Sequence, residues 1–288
     1  MSPVLSHPIR AAARRVRSLN ALLVGAVVVL VMLLVSGAAT AGHPHHAHAV
    51  PAPPTNPTRA NQIQNIDQVK TAIKAYYGDT VEGTNPDGSP QHTYGKTSAY
   101  VFEMRRLEKK AEGYLSAASK HHKPAKGKKA ILLDVDDTTL NTYNYEIFSN
   151  FVYNPASNAT FVNGAAFPAV PGMPGLVKWA KAKGYRIFFL TGRPVTQHDG
   201  TVTNLTKVGY PSVPDSHLYL KDLSAPWLSS CATTTPVCTT IQYKSLTRKH
   251  IESQGYDIVA NFGDQFSDLK GGFADKVFKL PNPMYYLP

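Results

Sequence analysis

Acidic residues are scarce: 19 Asp and Glu stand against 30 Lys and Arg, a formal net charge of +11 over 288 residues. Any local cluster of acids therefore needs its own reason. Cysteine is nearly absent. The two present, Cys231 and Cys238, are spaced Cys-x6-Cys, which is not a usual zinc spacing, and no nearby histidine completes four ligands, so a structural zinc site is the weaker reading there. Only one long apolar run exists, residues 21–35, close to the lower limit of a membrane span. No internal repeat is present, which excludes a solenoid. Interleaved aromatics are missing from the most basic stretch, residues 103–129, where nine Lys and Arg face three Glu. That stretch reads as a solvated helix end and linker, and no nucleic-acid partner is expected.

The apolar run has a context. Arg10, Arg14, Arg15 and Arg17 precede it and small residues ending Ala39-Thr40-Ala41 follow, the order of a secretory signal peptide over residues 1–41. An uncleaved membrane anchor is the alternative. Loss of residues 1–41 lowers the formal charge from +11 to +7, and the mature protein is expected to be secreted or otherwise extracytoplasmic. In an exported chain Cys231 and Cys238 read as a disulfide, closing a short loop worth about 2.5 kcal/mol of unfolded-chain entropy. Residues 42–60, rich in His and Pro, read as a disordered tether. His43, His45, His46 and His48 offer ligands for a transition metal, but a solvated spacer is the simpler reading.

From Asn61 to Tyr77 the apolar residues Ile63, Ile66, Val69, Ile73 and Tyr76 fall at helical spacings of three and four. Asn85-Pro86-Asp87-Gly88 is turn chemistry, and a second helix is expected from Ser98 to about Ser119. Residues 61–129 therefore form a helical N-terminal extension. Beyond Lys129 the texture changes to short apolar runs at residues 130–134, 186–190, 217–220, 258–262 and 276–280, with helical segments at 173–183 and 243–254 between them. This alternation predicts an α/β fold, a Rossmann-like parallel sheet over residues 130–288.

The first of those runs ends in Asp134-Val135-Asp136-Asp137-Thr138. Two acids one residue apart at the carboxyl end of a parallel strand stand where open α/β sheets build their sites, and a cation or a proton-transfer task relieves their repulsion. Three more groups fall at comparable places: Thr191-Gly192-Arg193 after Ile-Phe-Phe-Leu, Lys244 on a helix, and Gly263-Asp264-Gln265-Phe266-Ser267-Asp268 after the 258–262 run. Parallel strands point the same way, so these groups can converge on one sheet edge.

Asp-x-Asp-x-Thr, Thr-Gly-Arg, a helix-borne Lys and Gly-Asp-x-x-x-Asp, in that order, resemble the haloacid dehalogenase (HAD) superfamily. Asp-Val-Asp-Asp-Thr, Leu-Thr-Gly-Arg-Pro, Tyr-Lys-Ser-Leu-Thr-Arg and Gly-Asp-Gln-Phe-Ser-Asp-Leu carry a closer resemblance to the secreted acid phosphatases of subfamily IIIB, which include plant acid phosphatases and vegetative storage proteins. The resemblance covers about residues 61–288.

It implies a chemistry that the residue types support. Asp134 acts as nucleophile, giving an aspartyl-phosphate; Asp136 protonates the leaving oxygen and then deprotonates water; Thr191 and Lys244 stabilise the transferring phosphoryl group. Thr138, Gly192 and Arg193 are expected to line the substrate, with Asp137 as a possible neighbour at the entrance. The excess of acid calls for Mg2+ on Asp134, Asp264 and the Asp136 backbone carbonyl, with Asp268 either a ligand or a holder of the metal's water shell. Lys221, which also follows a strand, is the rival to Lys244. In dehalogenase relatives the second acid is absent, so Asp136 points to phosphoester hydrolysis or phosphotransfer.

The aromatic-rich segment within residues 141–170 (Tyr143, Tyr145, Phe148, Phe151, Tyr153, Phe161 and Phe167) is expected to form a small cap. It either stacks a nucleobase or phenol, making a nucleotide one candidate substrate, or packs on itself. The expected function is a secreted metal-dependent acid phosphatase acting on small phosphomonoesters. The alternative is a binding or storage protein that keeps the fold without turnover.

Overall fold

The computed structural model describes residues 56–212, 214–233 and 237–287. The expected signal peptide and most of the expected tether lie outside them. Among the described residues no helix is long and apolar enough to cross a membrane.

The first helix, α1 (Ile66–Tyr77), starts later than its apolar spacing suggests, because the Asn65 side chain accepts from the Asp67 N–H and caps it there. Ile63 and Ile66 are consequently exposed. Gly78, in the left-handed region at φ 61°, ends the helix. A hairpin follows, β1 (Thr80–Thr84) against β2 (Pro90–Thr93), antiparallel. Asn85 to Ser89 form its turn, with Asn85 N–H donating to Ser89 O at 2.8 Å. The region is thus not wholly helical. β1 is exposed throughout, so it lacks the apolar alternation by which a half-buried strand is recognised. Helix α2 (Ala99–His121) is capped by Ser98, which accepts from Val101 N–H, and buries Tyr100, Met104, Ala111 and Leu115 on one face.

The larger sheet has five strands, β3 (Lys128–Leu133), β4 (Arg186–Pro194), β5 (Leu218–Lys221), β6 (Tyr256–Gly263) and β7 (Lys276–Lys279), in the order β5-β4-β3-β6-β7. Every pairing is parallel. Between β3 and β4 lie α3 (Tyr143–Phe148), α4 (Pro155–Asn163) and α5 (Met173–Ala182); α6 (His198–Lys207) links β4 to β5; α7 (Ser229–Ala232) and α8 (Thr240–Ser253) link β5 to β6; α9 (Phe266–Leu269) links β6 to β7.

The strand alternation divides two cores. Ile131, Leu133, Ile187 and Phe189 face one layer with Met104, Leu115, Leu176 and Val177 from α2 and α5. Ala130, Leu132, Phe188 and Leu190 face the other with Tyr243 and Ile251 of α8. A sheet covered on both faces needs near-continuous apolar strands, which is what the sequence supplies. Cys231 and Cys238 are bonded to each other and buried in this second layer.

Candidate active site

Asp134 follows β3 directly; Thr191 to Arg193 lie in the last residues of β4; Asp264 follows β6; and the segment after β7 reaches the same edge. All strands being parallel, their carboxyl ends coincide there.

Three carboxylates meet at this edge. Asp134, Asp264 and Asp268 each place one oxygen within 4.8 Å of the others, and all three are buried. The Lys244 ammonium, projecting from the first turns of α8, donates to Asp134 Oδ1 and to Leu190 O at 2.7 Å, and lies 3.1 Å from Asp268 Oδ1. Lys221 makes no ion pair among the described residues. Gly263 makes the approach of Asp268 possible: a Cβ on it would fall 2.4 Å from Asp268 Cβ. The other Asp268 oxygen accepts from Gln265 N–H at 2.9 Å.

Asp264 is held by three donors. Thr138 Oγ1 donates to its Oδ1 at 3.2 Å, and Gln265 Nε2 and Asn282 Nδ2 each donate to its Oδ2 at 2.7 Å. Arg248, completely buried, donates to the carbonyls of Asp268 (2.6 Å), Gly272 (2.7 Å) and Lys270, fixing the loop that carries Asp268.

One ammonium against three buried carboxylates leaves an excess equal to the charge of one divalent cation. The titration of the groups reflects it. Burial drives the Asp134 carboxyl well above the usual carboxylate range, Lys244 opposing the shift and Asp268, Asp264 and Asp136 reinforcing it. Burial and the neighbouring Asp268 push Asp264 up to about 7. Burial alone would lower Lys244, but Asp134 and Asp268 reverse that and keep it firmly protonated.

Asp136 stands apart from this cluster. Its carboxylate is partly exposed and is gripped by Arg193, Nη2 to Oδ1 at 2.6 Å and Nε to Oδ2 at 3.0 Å. Asp137, at φ 54°, turns inward instead. It accepts from Thr142 N–H at 3.0 Å, Thr142 Oγ1 at 2.5 Å and Tyr285 O–H at 2.9 Å, so it fastens the loop and does not shape the entrance. Thr191 Oγ1 accepts from Arg193 N–H at 3.1 Å, which leaves the hydroxyl proton available. A Cβ at Gly192 would meet nothing within 4 Å, and its φ is not left-handed. Neither packing nor backbone strain demands glycine there, and the space beside it is open.

In the 141–170 segment the aromatics mostly pack on one another and on α1. Tyr143 stacks on Tyr77 at 4.4 Å, and Phe161 contacts Tyr145, Phe148 and Phe167. Phe148 and Tyr153 are the exposed large rings of that set. Near Asp136, burial and the Asp136 charge push Glu146 up to about 7.

Gln265, Asn282, Arg248 and Tyr285 were not singled out by sequence reasoning. A signal existed for Asn282: it lies in Leu280-Pro281-Asn282-Pro283, just beyond β7, at the carboxyl end of the sheet where the acids of the site were also sought.

The match to known proteins agrees with this geometry. Residues 59–288 match the HAD superfamily, subfamily IIIB (Acid phosphatase). The chain belongs to this family. It is similar to a stem 28 kDa glycoprotein of Glycine max, 31% identical over 69% of this chain and 76% of the relative. It is similar to acid phosphatase 1 of Solanum lycopersicum, 29% identical over 65% and 69%, and to vegetative storage protein 1 of Arabidopsis thaliana, 27% identical over 79% and 75%. Among solved structures it resembles the class C acid phosphatase of Bacillus anthracis, with TM-score 0.54 and 25% identity, covering 66% of this chain and 80% of that one. The same enzyme has been seen with tungstate bound. The chain is a phosphomonoester hydrolase of the HAD type, with small phosphate esters as its substrate class.

Proposed function

We propose that this subfamily IIIB acid phosphatase works outside the cytoplasm as a metal-dependent enzyme that passes the phosphoryl group through Asp134. The observation that carries the reading is the buried convergence of Asp134, Asp264 and Asp268, two of which, Asp134 and Asp268, pair with the Lys244 ammonium. Hard oxygen donors with an unbalanced double negative charge fit Mg2+. Asp134 and Asp264 would hold it, with the Asp136 backbone carbonyl, and Asp268 either as a further ligand or holding its water. When bound, Mg2+ neutralises the cluster and polarises the phosphoryl oxygens.

The rest is done by the chain. Asp134 attacks phosphorus, forming a P–O bond as the ester P–O bond breaks. Asp136 gives its proton to the leaving alkoxide and later takes one from the water that cleaves the acyl-phosphate, regenerating the Asp134 carboxylate. The Thr191 hydroxyl and the Lys244 ammonium stabilise charge on the transferring group. Tungstate in the Bacillus anthracis enzyme, a tetrahedral oxyanion like phosphate, supports the assignment. The Cys231–Cys238 disulfide and the charged, apolar and small-residue order of residues 1–41 support export.

Hydrolysis of p-nitrophenyl phosphate by the purified protein, with Mg2+ and with EDTA, tests the reading. Turnover that EDTA abolishes and Mg2+ restores is expected; turnover indifferent to both overturns it. The vegetative storage protein among the relatives favours one rival, a store without turnover. Against it stands a complete set of acids with Lys244, which storage does not require.

A further inference from the structure

Arg193 was expected to line the substrate, but its side chain is only 3% exposed and its donors are committed elsewhere. Nε and Nη2 form a fork onto the two oxygens of Asp136. Nη1 donates at 2.9 Å to Thr201 Oγ1, which itself donates to Gln197 O at 2.8 Å. The guanidinium carbon lies 5.6 Å from the centre of the buried Phe167 ring. Helix α6, which carries Thr201, is seated tightly: a Cβ at Gly200 would fall 2.6 Å from Val162 O of α4. A planar fork braced by a hydroxyl and a ring fixes both the position and the plane of the carboxylate it grips.

We infer that Arg193 is a positioning residue for proton transfer, aiming the Asp136 carboxyl at the leaving-group oxygen instead of clamping the phosphate. The inference rests on the reading of Asp136 as the proton donor. Proton transfer needs the donor oxygen within hydrogen-bond reach and correctly aligned, and a displacement of about 1 Å costs roughly 100-fold in rate. The consequence is selective. Esters of poorly acidic alcohols need the proton in the transition state, while esters of strongly acidic phenols leave as anions without it.

The test is kcat/KM, which reports steps only as far as formation of the phosphoenzyme, for Mg2+-loaded wild-type, Arg193→Ala and Arg193→Lys proteins. The substrates are 2,4-dinitrophenyl phosphate, phenyl phosphate and a simple alkyl phosphate. For Arg193→Ala we expect a loss of about 100-fold on the alkyl ester and less than about 3-fold on the dinitrophenyl ester. Arg193→Lys, which keeps the charge without the fork, should follow the same pattern. A uniform loss across the three esters, or a rise in the inhibition constant Ki of inorganic phosphate matching the loss, overturns the inference in favour of phosphate clamping. Thr201→Val, which removes only the brace, should reproduce the leaving-group pattern at smaller size, and its absence there counts against the inference even if the Arg193 variants fold poorly. Wild-type protein without metal-dependent turnover of any ester is a different failure, that of the proposed reaction itself.

Discussion

The Lys244 ammonium sits between two carboxylates from different strand ends, donating to Asp134 Oδ1 and lying 3.1 Å from Asp268 Oδ1, while its third donor meets Leu190 O. One side chain of α8 thus ties β3, β4 and the loop after β6 together at the point where phosphate is to be transferred. Removing it leaves the three buried carboxylates without a salt-bridged cation among the described residues. Loss of one partner of a buried pair costs about 3–5 kcal/mol. For Lys244→Met we expect turnover lowered by at least about 100-fold and a melting temperature that depends more steeply on Mg2+ than in wild type. Calorimetry with and without EDTA checks this; equal Mg2+ shifts in both proteins contradict it.

Asn282, from the segment after β7, donates to Asp264 Oδ2 at 2.7 Å. Groups that hold a metal ligand typically change metal affinity by about 10- to 100-fold when removed. Asn282→Leu should raise the Mg2+ concentration needed for half-maximal turnover by about 10-fold, with kcat at saturating Mg2+ nearly retained. A Mg2+ titration reads it directly, and an unchanged half-point argues against Asp264 as a ligand.

Arg248 presents a different kind of dependence. Among the described residues its guanidinium forms no salt bridge; it serves three backbone carbonyls around the Asp268 loop. Leaving those acceptors buried and unmet costs about 1–3 kcal/mol each at most. Arg248→Met is expected to lower stability by about 3 kcal/mol and to weaken Mg2+ binding along with it, both measurable by urea unfolding at fixed metal concentrations.

How far the sequence led is instructive at these same positions. The five parallel strands were legible as short apolar runs between helical segments, β3, β4 and β6 being largely buried, and the convergence on one edge was legible because Asp134, Thr191 and Asp264 stand at the ends of three of those runs. The hairpin of β1 and β2 was not, since an exposed ribbon carries no apolar alternation. Nor was the part played by Arg193 or Arg248. A charged residue beside a motif reads as a ligand to substrate until its burial is known, and a buried arginine on a helix is indistinguishable in sequence from a solvated one. The aromatic segment could have covered the site or packed on itself; Tyr143, Phe161 and Phe167 are internal.

Away from the site, Glu108 on α2 lies against the Gly172 turn, and a Cβ on Gly172 would fall 1.3 Å from its Oε1. Burial, with the nearby Glu112, pushes its carboxyl up to about 7, and Arg105 only partly offsets this. Its folded-state pKa thus exceeds the unfolded value, so the folded form binds the proton more tightly. The benefit is fully present below about 4.3 and is lost as pH rises through about 7. Glu108→Gln should therefore raise the melting temperature at pH 8 and leave it nearly unchanged at pH 4. An equal gain at both values would contradict the assignment.

The most direct measurement is of the phosphoryl group itself. Mg2+-loaded protein mixed with a fast aryl phosphate and quenched in acid within milliseconds should carry one phosphoryl group on the peptide containing Asp134, and Asp134→Asn should carry none and turn over no ester. Label on another residue, or full turnover by Asp134→Asn, would contradict the transfer of phosphate through this carboxylate.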